Sequence, residues 1–225
     1  MNEALPRTAL VTGASRGLGY ATAFALGQAG WQVIALARTV GGLEDLADAI
    51  EAGGGLPPTL VPLSVGDDAG LQRLCLAIHE RWAALDLAVN CAAHAPPLSP
   101  VQHIADKDFE RSLEVNFTSV RRLVAYLHPL LTVRPDGRFV QVTDNRAGRS
   151  FYGTYGSTKA AADAFVRSWA EETRRLPPEV ILFEPKPMPT ALRARFFPTE
   201  DNSTLTPCAD EAQRLIEALE IRVDA

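Results

Sequence analysis

The sequence predicts a three-layer α/β domain built on a doubly wound parallel sheet. Three observations predict it. Strand-like and helix-like segments alternate along the chain. The strand-like segments are short and nearly continuously apolar, as strands covered on both faces are. A glycine-rich turn joins the first strand-like segment to the first helical one.

Strands are expected at Thr8–Thr12, Gln32–Ala37, Thr59–Leu63, Asp86–Asn90, Arg138–Thr143 and Val180–Glu184. Between them, helices are expected at Gly17–Ala29 (closed by Gly30), Leu43–Ala52, Asp68–Ala84, Asp106–Thr132 and Tyr155–Leu176, with a last one at Ala209–Leu219. Right-handed crossovers then wind the helices onto both faces of the sheet. Gly53-Gly54-Gly55, Pro57-Pro58, Pro96-Pro97 and Pro177-Pro178 punctuate connections. None reads as an interdomain linker, and no repeat is present, so residues 1–225 are expected to form a single domain.

Composition excludes several classes. The chain of 225 residues is 47% hydrophobic, which a disordered protein is not. A net charge of −5 argues against a nucleic-acid surface. Cys75, Cys91 and Cys208 are widely spaced, and neither a C-x-x-C nor a zinc-type Cys/His pattern occurs. They read as reduced thiols, and no metal site is expected. Strand-like sequence begins at Thr8 with no apolar leader before it, and no apolar run is long enough for a membrane span. A cytoplasmic protein without membrane or nucleic-acid partners is the expectation.

Two motifs carry chemistry. Thr12-Gly13-Ala14-Ser15-Arg16-Gly17-Leu18-Gly19 lies between a strand and a helix. Glycines there let the backbone approach a pyrophosphate, to which the helix N-terminus offers unpaired N–H groups. The second motif is Tyr155-Gly156-Ser157-Thr158-Lys159, at the head of an Ala-rich helical run. Residues four apart share a helix face. An ammonium beside a phenol favours the phenolate, which makes a tyrosine usable for proton transfer near neutral pH. Alone, either motif is commonplace, as a tight turn or a surface pair.

Together they resemble the short-chain dehydrogenase/reductase family, over about Arg7 to Leu219. Its T-G-x-x-x-G-x-G pattern is met by Thr12, Gly13, Gly17 and Gly19, its Y-x-x-x-K by Tyr155 and Lys159, and its helical asparagine by Asn116 in Leu113-Glu114-Val115-Asn116. Phe197-Pro198-Thr199-Glu200-Asp201 with Leu205-Thr206-Pro207 is similar to the tail of one bacterial subgroup of unassigned reductases. The resemblance implies a Rossmann fold and an oxidoreductase passing hydride between a nicotinamide and a small carbonyl or alcohol substrate. It implies Tyr155 as proton donor or acceptor, Lys159 as the group that lowers its pKa and bonds the nicotinamide ribose, and Asn116 as the holder of a relay water. Cofactor contacts are implied for Gly13, Ser15, Arg16, Gly17, Leu18, Gly19, Ser64, Val65, Asn90, Ala92, Lys159, Pro185 and Thr190. Arg16 and Arg38 stand where basic residues look like a clamp for the 2′-phosphate, so NADP(H) is expected over NAD(H).

Several positions depart from the family pattern. Asn90-Cys91-Ala92-Ala93 replaces N-N-A-G, Ser64 replaces an aspartate, and Lys186 replaces the glycine after Pro185. The catalytic serine is missing from Val142-Thr143-Asp144-Asn145-Arg146-Ala147-Gly148. Ungapped alignment from Tyr155 puts Thr143 in its place, and Thr143 is taken here as the carbonyl-orienting group. Alignment on Ala147-Gly148 puts Asn145 there instead. Asp144 suits the role poorly, because an anion opposes a developing oxyanion. These losses leave a second reading open, a weakly active or non-catalytic nucleotide-binding module. His94 begins a loop at the carboxyl end of the fourth strand and is a candidate substrate contact. Helices Asp106–Thr132 and Tyr155–Leu176 resemble the family's dimer pair, with Ala160, Ala161, Ala162 and Ala164 allowing close approach. A homodimer is expected, with a tetramer the lesser alternative because the chain shortens the family's last edge strand to Glu220–Ala225.

Overall fold

A computed structural model describes residues 6–221. Six strands, β1 (Thr8–Thr12), β2 (Gln32–Ala37), β3 (Thr59–Pro62), β4 (Leu87–Asn90), β5 (Arg138–Val142) and β6 (Glu179–Phe183), form one parallel sheet in the order β3-β2-β1-β4-β5-β6. The order reverses between β1 and β4, where Thr12 lies opposite Asn90. That reversal opens a crevice at the carboxyl ends of the strands.

Successive strand residues face opposite sides of a sheet. Ala9 and Val11 therefore enter one core with Val33, Ala35 and Val89, beneath helices α1 (Gly17–Gln28) and α8 (Cys208–Ala218). Leu10, between them, enters the other core with Ile34, Ala88 and Phe139. That second core lies beneath α3 (Asp68–Trp82), α5 (Ser119–Leu131) and α6 (Gly153–Glu172). The central strands β1, β2 and β4, buried on both faces, read as continuous apolar runs, which is why the sequence located them. At the foot of β4, buried Asp86 accepts from the Thr8 backbone N–H and hydroxyl at 2.8 and 3.0 Å. A carboxylate replaces part of the ladder there, and the strand begins at Leu87.

Five differences from the sequence reading bear on the site and its surroundings. Helix α2 (Val40–Ala52) starts before Leu43, and α6 starts before Tyr155, placing that tyrosine in the first turn. The helix expected over Asp106–Thr132 is two helices, α4 (Asp106–Leu113) and α5, joined by a wide turn at Glu114–Thr118. There the Ser119 N–H reaches back five residues to the Glu114 carbonyl, an inserted residue of the kind found at functional sites. Apolar periodicity runs through such a turn, so the sequence hides it. A short helix α7 (Ala191–Phe196), N-capped by Thr190, fills part of the stretch taken as loop. Finally, Ala162 is fully buried in the core, so it cannot line a helix-pair interface, whereas Ala161 and Ala164 are exposed. Of the edge segment expected at Glu220–Ala225, residues 222–225 lie outside the described residues.

Candidate active site

The crevice continues into a cavity of about 600 Å³, lined by the glycine turn, the ends of β2 to β6 and helix α7. Gly13 and Gly17 have φ of +69° and +60°, which side-chain-bearing residues rarely adopt. A Cβ on Gly19 would stand 2.3 Å from the Gly13 carbonyl oxygen. The turn therefore folds back on itself and leaves the cavity face as bare backbone. Helix α1 begins there with no side-chain cap and no acidic residue in its first turn. Its free N–H groups and dipole suit an anion. Ser15, Gly17 and Leu18 line the same wall, so the residues fit a dinucleotide pyrophosphate.

The structure brings Ser64, Val65, Ala92, Pro185 and Thr190 to the cavity wall. Arg16 and Arg38 are exposed at its mouth, and among the described residues neither makes an ion pair. Asn90 does not reach the cavity surface. Its amide oxygen accepts from the Thr12 hydroxyl at 2.6 Å, and its amide nitrogen donates to Gln141 Oε1 at 3.0 Å. The Thr12 hydroxyl in turn accepts from the Ala92 N–H at 3.2 Å. This network ties β1, β4 and β5 together and holds the cavity floor.

Asn116 also lies behind the wall, 1% exposed. Its side chain accepts from the His94 N–H at 2.8 Å and donates to the His94 carbonyl and the Thr158 hydroxyl at 3.0 and 3.1 Å. It clamps the loop after β4 to α6. The His94 ring lines the cavity, and burial, then Arg195, Arg111 and Arg38, lowers its pKa. Arg111 is a cation at this end that the sequence reading missed, because nothing in a helical run shows which face meets a cavity.

Tyr155 is 2% exposed and packs edge-on to Phe196 of α7, with ring centres 4.9 Å apart. Its hydroxyl donates to Asp144 Oδ2 at 3.1 Å, while Asp144 Oδ1 accepts from Arg146 Nε at 3.1 Å. Burial, then the charge and hydrogen bond of Asp144, pushes the Tyr155 pKa well above the usual phenol value, against a weaker pull from Arg146. The lowering expected from Lys159 is not seen: the opposing charge is that of Arg146, and Asp163 adds to the rise. The Lys159 ammonium is buried and donates to the Val142 carbonyl at 2.6 Å. Burial lowers its pKa, and Asp163 and Asp144 oppose that.

Thr143 lines the cavity, but its hydroxyl donates to Asp163 Oδ2, so it is not presented to Tyr155. Asn145 is exposed. The side chain at the tyrosine hydroxyl is Asp144, the residue the sequence reading set aside on charge grounds. Asp163 was missed as well, although it stands four residues after Lys159 on the same helix and its spacing was there to be read. Its Oδ1 is buried without a partner. Cys91 is an inert thiol here, since burial pushes its pKa up to about 12 against the nearby Lys159 charge.

The sequence profile of the short chain dehydrogenase family matches residues 7–201. The chain belongs to the short-chain dehydrogenase/reductase family of oxidoreductases. It is 30% identical over 209 residues to the uncharacterised oxidoreductase YciK of Escherichia coli K12, covering 91% of this chain and 82% of that protein. It is 31% identical to a fatty acyl-CoA reductase of Acinetobacter baylyi over 170 residues, or 74% of this chain, and the match spans only 57% of that enzyme. The structure of a short-chain dehydrogenase from Escherichia coli CFT073, complexed with NADPH, superposes with a TM-score of 0.86 at 27% identity, covering 96% of this chain and 90% of that one.

The glycine turn and the Tyr155/Lys159 pair keep the short-chain dehydrogenase/reductase pattern, whereas the segments after β3, β4, β5 and β6 depart from it at Ser64, Cys91, Ala93, Asp144 and Lys186. Among the described residues, no group of acidic, His and Cys side chains is placed to hold a metal, and no helix is long and apolar enough to cross a membrane.

Proposed function

We propose that the protein is an NADP-dependent oxidoreductase acting on a small carbonyl or alcohol. One observation carries this reading. The buried Tyr155 hydroxyl and Lys159 ammonium share a cavity with the bare glycine turn and with Arg16 and Arg38, which make no ion pair among the described residues. Gly13, Ser15, Arg16, Gly17, Leu18 and Gly19 would cradle the pyrophosphate, and Arg16 and Arg38 the 2′-phosphate, where a guanidinium fork gives paired hydrogen bonds. Ser64, Val65 and Ala92 would border the adenosine half, and Pro185 and Thr190 the nicotinamide half. When bound, the reduced nicotinamide supplies a hydride to the substrate carbon.

The chain's own residues do the rest. Tyr155 gives its proton to the substrate oxygen as the alkoxide forms. Lys159 holds positive charge behind that oxygen, favouring the transition state. Thr143 and Asp163 fix the end of β5 against α6. Asn116 keeps the loop bearing His94 in place, and α7 keeps water from the tyrosine. Turnover with a panel of aldehydes and ketones, together with NADPH and NADH titration, tests the reading. NADPH binding without any turnover would support the second one, a nucleotide-binding module. The observation favouring that one is the Tyr155 hydroxyl's engagement with Asp144. A cytoplasmic homodimer through the exposed faces of α4 to α6 completes the proposal.

A further inference from the structure

We infer that Asp144 selects substrates with a hydrogen-bond donor, a hydroxyl or an amine, on the carbon beside the reacting carbonyl. The inference rests on the oxidoreductase reading above. Tyr155 has one proton to give, and its hydroxyl donates it to Asp144 Oδ2 at 3.1 Å. A substrate carbonyl must take that same proton bond. Once it does, Asp144 Oδ2 loses its donor and faces the lone pairs of the carbonyl oxygen.

Asp144 Oδ1 cannot relieve this, because it is held by Arg146 Nε at 3.1 Å, with the Arg146 guanidinium stacked over Tyr152 and Phe197 at 5.5 and 5.3 Å. Nor do the neighbours in the bend after β5 supply a replacement. Thr143 donates to Asp163, and Asn145 is exposed. An ionised carboxylate accepts only. A plain ketone accepts only as well, so the pair repels and leaves a carboxylate oxygen unpaired. A hydroxyl or ammonium on the adjacent carbon restores the lost bond. Adjacent oxygens on a substrate lie about as far apart as hydrogen-bonded partners do, which matches the Tyr155–Asp144 spacing. A neutral hydroxyl at this position, as in the family's serine, would donate to the ketone and impose no such demand.

The test uses the intact protein with NADPH and four substrates sharing one skeleton: 2-butanone, 1-hydroxy-2-butanone, 1-methoxy-2-butanone and 1-amino-2-butanone. The methoxy compound keeps the oxygen's inductive effect on the carbonyl and lacks the donor. Wild-type kcat/KM should be about 10- to 100-fold higher for the hydroxy or amino ketone than for the methoxy ketone, the worth of a hydrogen bond to a charged group. Whichever of the two leads tells hydroxyl from ammonium. Asp144→Ser should bring the ratio toward one while NADPH affinity, read by its fluorescence, stays the same. Equal wild-type rates on hydroxy and methoxy ketones overturn the inference and leave the oxidoreductase reading standing. So does an unchanged ratio in Asp144→Ser. NADPH binding with no turnover of any of the four overturns both. The wild-type comparison decides the matter even if the variant does not fold.

Discussion

Replacing Tyr155 with phenylalanine separates the chemistry from the structure, because the two losses differ in size. The phenylalanine keeps the ring against Phe196 at its 4.9 Å spacing and leaves no cavity. What disappears is one hydrogen bond, to Asp144 Oδ2. In the substrate-free site the Asp144 side chain is 28% exposed and keeps its ion pair with Arg146, so water can take the place of the lost donor, a place that a seated substrate fills. The structural cost is therefore about 1 kcal/mol, or ~2–4 °C in Tm for a chain of this size. Against a typical stability of roughly 5–15 kcal/mol, the protein stays folded. The catalytic cost is larger. Loss of the proton donor removes about 10²–10⁴-fold in kcat, equal to ~3–5 kcal/mol of barrier. NADPH affinity should hardly move, since the hydroxyl acts in the transition state. A coupled assay of NADPH oxidation, thermal melting and cofactor titration on one preparation gives all three numbers. Full activity of Tyr155→Phe on a confirmed substrate would refute the mechanism. A Tm fall of tens of degrees would refute the structural account of its hydroxyl.

Three other predictions address the remaining parts of the site. Arg38→Ala should weaken NADPH binding by ~1–3 kcal/mol, about 5- to 150-fold, and leave NADH nearly untouched; equal affinities for the two cofactors in the unmodified protein would contradict the phosphate clamp. Asp163→Asn keeps an acceptor for Thr143 but removes a negative charge that holds the Lys159 pKa up against burial. Lys159 should then lose its proton at lower pH, so the alkaline limb of the kcat profile should move to lower pH; a limb that stays in place would show that Asp163 only braces β5. Sedimentation at micromolar concentration should give a dimer, and a monomer alone would remove the assembly proposal.

The fold was legible because the central strands carry apolar residues on both faces, as Ala9, Leu10 and Val11 do. The turn side of the cavity was legible for a related reason. Gly13, Gly17 and Gly19 are required by backbone angles and clearances that no other residue meets, so local sequence and local geometry say the same thing. The Tyr155 side was only half legible. A helix period links Tyr155 to Lys159, and it links Lys159 equally to Asp163, but the second step is recognised only once Thr143 is seen donating to it. Asn90 and Asn116 were placed by pattern in the cofactor and catalytic sets, yet their amides are spent on Thr12, Gln141, His94 and Thr158, contacts made between elements far apart in sequence. Asp144 was beyond sequence reasoning for a different reason. Alignment asks which residue resembles serine, and it offers Thr143 or Asn145. The chain asks which side chain the bend after β5 turns toward Tyr155. An anion there is unfavourable for a ketone and favourable for a substrate that brings its own donor, so the residue least like the family's serine is the one whose chemistry narrows the substrate.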